Sequence, residues 1–157
     1  MKILIWIGAA VIAAPFLLFF GSYAYFAVVV NPYFANAYFQ TRVPVETVLA
    51  SRRWHRLGSE PWDCTYAIVD LTADAPEFPE TWGDAARWSE TPAPPLGITT
   101  RGALEFCGSK YWSAEVQTRL ARALSNPGSY FTRNGSGQDL WIYAPNNRIA
   151  AKIRYGD

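Results

Sequence analysis

The N-terminal part of the chain is uniformly apolar, whereas the rest mixes apolar and polar positions. Between Ile3 and Val30 no residue carries a charge. A helix rises 1.5 Å per residue, so about 20 apolar residues cross the hydrocarbon of a bilayer. We therefore predict that residues 1–30 form a single transmembrane anchor.

A cleaved signal peptide is the alternative for this segment. The apolar region of a signal peptide is about 7 to 15 residues long, which is shorter than the run seen here. Ser22, Tyr23 and Ala24 offer a small-residue pattern for cleavage, but apolar residues continue through Val28–Val30. Length and flanking residues favour a retained anchor.

Aromatic residues lie near both ends of the apolar run. Such residues are enriched at the two interfaces of membrane helices, so we predict membrane-interface contacts for them. They are Trp6 on one side, and Tyr23, Tyr25, Tyr33, Phe34, Tyr38 and Phe39 on the other. Asn31 as N-cap and Pro32 behind it predict a new helical turn within an interfacial linker over residues 31–43. The alternative is that these aromatic side chains pack on the following domain.

Residues 44–157 contain shorter patterns that predict one α+β domain. The first pattern begins at Pro44 and ends at Gly58, and its apolar residues share one helical face. Pro is favoured in the first turn of a helix and Gly just after the last, so we predict a helix over this range.

The C-terminal part of the domain predicts a helix followed by three strands. Ser113 as N-cap begins an amphipathic stretch over residues 113–126. Its predicted buried stripe consists of Val116, Leu120, Ala123 and Leu124. Residues 129–133, 140–144 and 148–155 have strand composition. We therefore predict a C-terminal antiparallel meander packed on this helix.

Residues 64–71 also have strand composition, and we expect them to join the sheet or to lie beside it. In residues 148–155 apolar side chains alternate with Arg148, Lys152 and Arg154. This alternation predicts one buried face and one basic, solvent-exposed face.

The intervening residues 72–96 are rich in proline and acidic residues, which predicts a long loop with one helical turn around 80–88. Trp82 and Trp88 would attach this loop to the domain. Because exposed indoles can also stack on a glycan, both are candidate binding residues.

The net charge of +1 hides an uneven distribution. Acidic residues dominate positions 57–100, whereas positions 42–56 and 101–156 are basic. Because the blocks nearly cancel, we expect no nucleic-acid partner, which would require a clear basic excess on one face. Oppositely charged blocks do suit electrostatic docking on another protein.

Two cysteines, Cys64 and Cys107, allow a single intramolecular pairing. In an oxidising compartment they would form a disulfide bond, whereas in the cytosol they would be two buried thiols. A short N-terminal tail before an anchor favours the disulfide, with the domain on the periplasmic or extracellular side of the membrane.

Residues that could carry out chemistry are sparse. The chain has one histidine, His55, and no second cysteine pair, so a tetrahedral metal site cannot be assembled. A hydrolase triad would need His55 as its base, but the neighbouring arginines disfavour the positive charge that this imidazole would have to take up. The remaining option is a carboxylate group for calcium or acid–base work, or else a solvated acidic loop, formed by Asp70, Asp74, Glu77 and Glu80. We predict no metal, no cofactor and no enzymatic activity.

Arg52, Arg53 and Trp54 combine cations with an indole, as surfaces that bind anionic lipid headgroups or nucleic acid do. The alternative is a helix C-terminus whose cations complement the dipole. Together these patterns predict a membrane-anchored accessory protein whose partners are the lipid bilayer and a larger membrane complex. A module that binds a glycan or lipid headgroup is the alternative, and an enzyme is a third.

Overall fold

The computed structural model describes residues 2–53, 64–80, 82, 88–94, 98–134 and 138–155. Its helices are α1 (Lys2–Tyr25), α2 (Asn31–Phe39), α3 (Ile98–Tyr111) and α4 (Ala114–Ser125). Its strands are β1 (Val45–Arg52), β2 (Cys64–Leu71), β3 (Ser89–Glu90), β4 (Tyr130–Arg133), β5 (Asp139–Ala144) and β6 (Ile149–Tyr155). The strands form one antiparallel sheet in the order β1-β2-β6-β5-β4-β3, so the fold is α+β as predicted.

The N-terminal helix runs from Lys2 to Phe39 without a break, because a π-helical segment, Phe26–Val30, joins α1 to α2. Pro32 gives the reason for the π segment, since its ring would clash with the carbonyl of Val28 in a regular α-helix. Helix α2 begins at Asn31 as predicted, but it continues the preceding helix, and the N-cap role predicted for Asn31 is wrong. Asn31 does not cap a helix, and its Oδ1 instead accepts a hydrogen bond from the backbone N–H of Arg53 at 3.0 Å.

The described residues contain one helix, Ala13–Phe39, that is long and apolar enough to cross a membrane. Its most apolar stretch is not buried by the rest of the protein, unlike the core helix of a soluble domain. Leu17 and Leu18, for example, are 73% and 75% exposed. A signal sequence near the N-terminus can also be apolar enough to meet this criterion.

The helix predicted over residues 44–58 is wrong, because its first part forms β1. The pairing of β1 with β2 is shifted twice, between Val45 and Thr47 and between Val48 and Ala50. Such bulges add a residue to one strand and interrupt the alternation of its faces. Val45 and Val48 consequently pack on the same side of the sheet at a spacing that resembles a helix.

The C-terminal meander is confirmed, with strand boundaries that differ from the prediction by one residue at most. The strand at residues 64–71 joins the sheet as β2, between β1 and β6. In α4, Ser113 is the N-cap and accepts a hydrogen bond from the backbone of Val116 at 3.3 Å. All four predicted stripe residues of α4 are buried.

Both faces of the sheet are covered. One face packs on α3 and α4 around residues such as Ile68, Leu140 and Ile153. The opposite face packs on α2 and on Trp82. The exposed basic face predicted for residues 148–155 is therefore wrong in part, since Ala150 is fully buried and Lys152 half-buried.

Helix α3 has no counterpart in the sequence prediction, and it is attached to β2 by the predicted disulfide between Cys64 and Cys107. Its residue Gly108 allows a close approach to α4. A Cβ atom at this position would lie 3.2 Å from Trp112 Cε3 and 3.3 Å from Gln117 Cγ. A methyl group here would require the side chains of Trp112 and Gln117 to shift by a few tenths of an ångström.

Candidate functional site

The edge of the sheet at which β1 begins and β2 ends contains an open cleft of about 460 Å³, which we call the polar cleft. It is lined by Glu46, Thr47, Asp70, Arg119, Asn146, Asn147 and Arg148. Four elements supply these residues: β1, β2, α4 and the turn between β5 and β6. The fold thus brings together charged residues that are far apart in sequence.

Arg119 holds one side of the polar cleft in place. Its guanidinium forms an ion pair with Asp70 and donates hydrogen bonds to the carbonyl oxygens of Asn147 and Arg148, at 3.1 and 3.0 Å. Arg119 also forms an ion pair with Glu115, one helical turn earlier in α4, at 4.0 Å. The ion pair with Asp70 is mostly shielded from solvent, because both side chains are only 21% exposed.

Arg148 forms the other side of the cleft, with an unusual backbone. Its φ of 49° lies in the left-handed region, which costs a residue with a Cβ about 1–2 kcal/mol. Its side chain donates to the Leu71 carbonyl at 3.1 Å and forms an ion pair with Glu46. Backbone strain of this kind is concentrated at functional positions in proteins.

The two arginines of the polar cleft are balanced by Glu46 and Asp70, so its described lining has no net charge. It presents guanidinium and amide donors next to carboxylate and carbonyl acceptors. No group of three or more His, Cys, Asp or Glu side chains that could hold a metal ion occurs among the described residues. The cleft is therefore suited to hydrogen bonding with a polar surface.

A second cluster of side chains lies where α2 meets the sheet, and we call it the aromatic junction. The hydroxyl oxygen of Tyr38 accepts hydrogen bonds from Trp141 Nε1 at 2.9 Å and from Trp82 Nε1 at 3.4 Å. The Tyr38 ring also contacts two cations, with Arg42 and Lys152 at 4.6 and 4.9 Å from its centre. These contacts fix the orientation of α2 on the sheet.

Burial changes the pKa of two groups around the junction. Loss of solvent lowers the pKa of Lys152, an effect that Asp139 partly opposes. Burial raises the pKa of Tyr143 to about 12, and its hydroxyl donates a hydrogen bond to the Pro76 carbonyl at 2.5 Å. On the exposed loop, the nearby Thr72 hydroxyl and the Asp74 backbone lower the pKa of the Asp74 carboxyl.

The candidate binding residues on the loop have different environments. Trp82 is only 1% exposed, so its ring faces are covered by protein and are not accessible to a glycan. Trp88 is half-buried, and its Nε1 donates to the Trp82 carbonyl at 2.9 Å. Trp54 and His55 lie outside the described residues, as does most of the helical turn predicted around 80–88.

Arg52 and Arg53 lie at the edge of the sheet opposite the polar cleft, where β1 ends. Arg52 packs over the ring of Tyr111 at 4.1 Å, and the side chain of Arg53 is exposed. The predicted carboxylate group is not assembled. Asp70 is paired with Arg119, while Asp74, Glu77 and Glu80 are exposed on the loop.

The aromatic residues predicted at the membrane interface fall into two sets. Tyr23, Tyr25 and Tyr33 are exposed, and a membrane contact for them stays a prediction. The other set packs on the domain, and it consists of Phe34, Tyr38 and the fully buried Phe39. The segment 31–43 is thus largely a helix in contact with the sheet. Trp6 lies in α1, and its side chain is outside the described residues.

Sequence reasoning did not find Glu46, Arg148 or the pairing of Asp70 with Arg119. Asp70 and Arg119 are 49 positions apart, and nothing in the local pattern of either residue indicates the other. No family model matches the chain, and neither the curated proteins nor the solved structures contain a match.

Proposed function

We propose that the chain is a single-pass, membrane-anchored accessory protein whose domain docks on a larger membrane complex. The observation that carries this proposal is the continuity of the N-terminal helix. Its exposed apolar part, α1, leads directly into α2, whose Ala35 and Phe39 are fully buried in the domain. A helix that is apolar on all sides and not covered by its own domain requires lipid or another membrane helix as its surroundings.

Hydrogen bonds between α2 and β1 restrict the orientation of the domain relative to the N-terminal helix. The hydroxyl of Ser51 donates to the Asn31 carbonyl and accepts a hydrogen bond from the backbone N–H of Ala35 at 3.1 Å. With the Arg53–Asn31 hydrogen bond, these contacts fasten the start of α2 to the end of β1. A domain held in this way presents the same surface to a neighbour in the membrane, which favours binding with a smaller loss of conformational entropy.

The disulfide supports a domain on the periplasmic or extracellular side, since disulfides persist in oxidising compartments and are rare in the cytosol. The polar cleft lies at the edge of the sheet away from the start of α2. We assign it as the contact surface for the extramembrane part of the partner, because its fixed donors and acceptors suit a polar protein interface.

The test is to solubilise native membranes in mild detergent and to follow the full-length chain on a native gel, with mass spectrometry of co-migrating proteins. We expect one large assembly. Glu46→Arg should release the chain from it, because a third cation would face Arg119 and Arg148 in the cleft. Glu90→Arg on β3 is the matched control, since Glu90 is also exposed and does not line the cleft.

A chain that migrates alone with an intact N-terminus would contradict the accessory function and favour the alternative, a ligand-binding module. Some features of the structure oppose a glycan site. The described lining of the polar cleft contains no aromatic ring, and Trp82 is buried in the aromatic junction. An enzymatic function has no assembled catalytic group among the described residues to support it.

A further inference from the structure

The hairpin formed by β4 and β5 is closed by Asn134 and Asp139, which hold each other through three hydrogen bonds. The backbone N–H of Asn134 donates to the Asp139 carbonyl at 3.2 Å. The Asn134 side chain makes the other two bonds. Its Nδ2 donates to Asp139 Oδ2 at 2.8 Å, and its Oδ1 accepts from the backbone N–H of Asp139 at 3.1 Å. Both ends of the side-chain amide are therefore fixed.

The residue after Asn134 is Gly135, and this order makes Asn134 chemically reactive. Because glycine has no Cβ to obstruct the approach, its backbone nitrogen can attack the side-chain carbonyl carbon of the preceding asparagine. A bond then forms between Gly135 N and Asn134 Cγ, the nitrogen gives its proton to water, and Nδ2 leaves as ammonia. Water opens the resulting cyclic imide, which leaves aspartate or isoaspartate at position 134.

The hydrogen bonds of the side chain oppose this ring closure. They direct the Asn134 amide across to β5, whereas the Gly135 nitrogen belongs to the chain that continues from Asn134 itself. The amide must leave both bonds before its carbon can meet that nitrogen. The bond to Asp139 Oδ2 is of the stronger, charge-assisted kind. The reaction therefore requires a local opening of the Asn134–Asp139 pair.

The product of the reaction does not fit the closed hairpin. An aspartate at position 134 would place an oxygen where Nδ2 now donates to Asp139, so the donor is lost. Like charges that stand directly opposite each other on neighbouring strands are destabilising. Trp141 follows two positions after Asp139 in β5, and its Nε1 donates to the Tyr38 hydroxyl at 2.9 Å. A hairpin that stays open would thus weaken a contact that orients α2.

We propose that Asn134 is a latent modification site, which the closed β4–β5 hairpin protects from conversion into aspartate. Water is the only co-reactant that the conversion needs. Each opening of the Asn134–Asp139 pair exposes the amide to ring closure, and the product prevents the pair from forming again. The change is therefore one-way. The inference depends neither on the membrane anchor nor on a partner protein.

The experiment incubates the full-length chain in detergent at mildly alkaline pH and follows the conversion of Asn134 by peptide mapping and mass spectrometry. A capped synthetic peptide of residues 131–140 is the unfolded reference. We expect conversion in the folded chain to be slower than in the peptide by about ten-fold or more, because only the open pair reacts. Equal rates in the chain and the peptide would overturn the inference, and so would a peptide that does not react.

Asp139→Ala should remove most of the protection, because Nδ2 loses its acceptor. Asp139→Asn keeps an oxygen acceptor at this position and should retain most of it. Asp74→Ala is the matched control and should leave the rate unchanged, because it makes the same change on the exposed loop. Near-ultraviolet circular dichroism of the tryptophans checks that each variant is folded. A wild-type rate in Asp139→Ala, or equally fast conversion in Asp139→Asn and Asp139→Ala, would show that the side-chain hydrogen bond does not protect Asn134.

The one-way character is tested by comparing Asn134→Asp with Asn134→Ala in denaturant unfolding of the full-length chain. Both variants lose the bond from Nδ2, but only Asn134→Asp adds a charge that repels Asp139. We expect Asn134→Asp to lower the unfolding midpoint further than Asn134→Ala. An equal or smaller decrease would show that the product is accommodated in the closed hairpin, and the conversion would then not act as a one-way change.

Discussion

Trp82 is the residue at which the N-terminal helix, the long loop and the sheet meet. Its ring centre lies 5.1 Å from that of Phe39 in α2 and 5.2 Å from that of Trp88 in the loop. On the sheet it faces Tyr143, at 6.4 Å. Aromatic contacts at these separations add to the energy of burial, so this one side chain stabilises three elements at once.

We expect Trp82→Ala to lower the free energy of unfolding by about 3–5 kcal/mol, the usual effect of removing a buried Trp. Denaturant unfolding of the full-length chain in detergent measures the effect. Tyr33→Ala is the control and should change stability by less than about 0.5 kcal/mol, because Tyr33 is 69% exposed. A loss below about 1 kcal/mol for Trp82→Ala would show that its burial contributes little to the fold.

The buried hydroxyl of Tyr143 predicts a loss of stability at alkaline pH. Its pKa is raised to about 12 in the folded protein, whereas an unfolded tyrosine titrates near 10. Between these values the unfolded chain has lost the proton and the folded chain has kept it. The contribution of Tyr143 to the free energy of unfolding is therefore complete below pH 10 and falls by about 1.4 kcal/mol per pH unit towards pH 12.

The free energy of unfolding, measured from pH 8 to 12, should thus fall more steeply for the wild-type protein than for Tyr143→Phe. The variant loses the hydrogen bond to Pro76, so it starts from a lower stability at pH 8. If the free energy of unfolding changed with pH in the same way for the two proteins, the raised pKa of Tyr143 would not contribute to the loss of stability at alkaline pH.

At the level of elements, α3 depends on its covalent link to β2. Its sequence contains Gly102 and Gly108, and Gly weakens a helix by about 1 kcal/mol relative to Ala. Cys107 compensates for this, since the disulfide joins it to Cys64 over a separation of 43 residues. In the chain-entropy description, closing a loop of this length stabilises the folded protein by about 4 kcal/mol.

The double variant Cys64→Ala/Cys107→Ala should therefore lose up to about 4 kcal/mol of stability, measured by denaturant unfolding. Chemical reduction of the wild-type protein should produce a similar loss. The reductant added to the double variant is the control and should change nothing. An unchanged stability in the variant would show that packing alone holds α3 in place.

The sequence identified elements whose stabilising contacts are local and failed where the contacts are distant. Helix α4 was predictable because Ser113 caps it and its apolar stripe repeats at the helical period. Strand β1 was not predictable, because its bulges interrupt the two-residue alternation of buried and exposed positions that identifies a strand. The disulfide is a distant contact that was predictable, because two cysteines allow only one pairing. The network of Arg119, Arg148 and Glu46 was not predictable, because the chain offers many possible pairs of opposite charge.

The whole molecule combines an exposed apolar helix with a folded domain, and we propose that this helix anchors the domain at a membrane. Leu17 lies in the middle of the apolar run and is 73% exposed. An arginine near the centre of a membrane helix raises the free energy of insertion by about 2.5–3.5 kcal/mol, so it makes insertion less favourable. Leu17→Arg should therefore shift part of the protein from the membrane to the soluble fraction.

Alkaline carbonate extraction followed by intact mass measurement tests this prediction. The wild-type chain should stay in the membrane with its N-terminal residues intact. Glu90→Arg, which places the same new side chain on the sheet, should behave like the wild type. A wild-type mass that starts after Ala24 would show instead that α1 is removed as a signal peptide.

The unbroken connection of α1 to α2 has a mechanical consequence. A membrane helix that is longer than the local hydrocarbon thickness tilts until its apolar length fits. Asn31 and Phe39 attach α2 to the sheet, and α1 continues into α2, so a tilt of the proposed anchor would turn the domain with it. In a thick bilayer the domain would stand upright, and in a thin one it would lean over. The angle between the domain and the proposed partner would then depend on the thickness of the surrounding membrane.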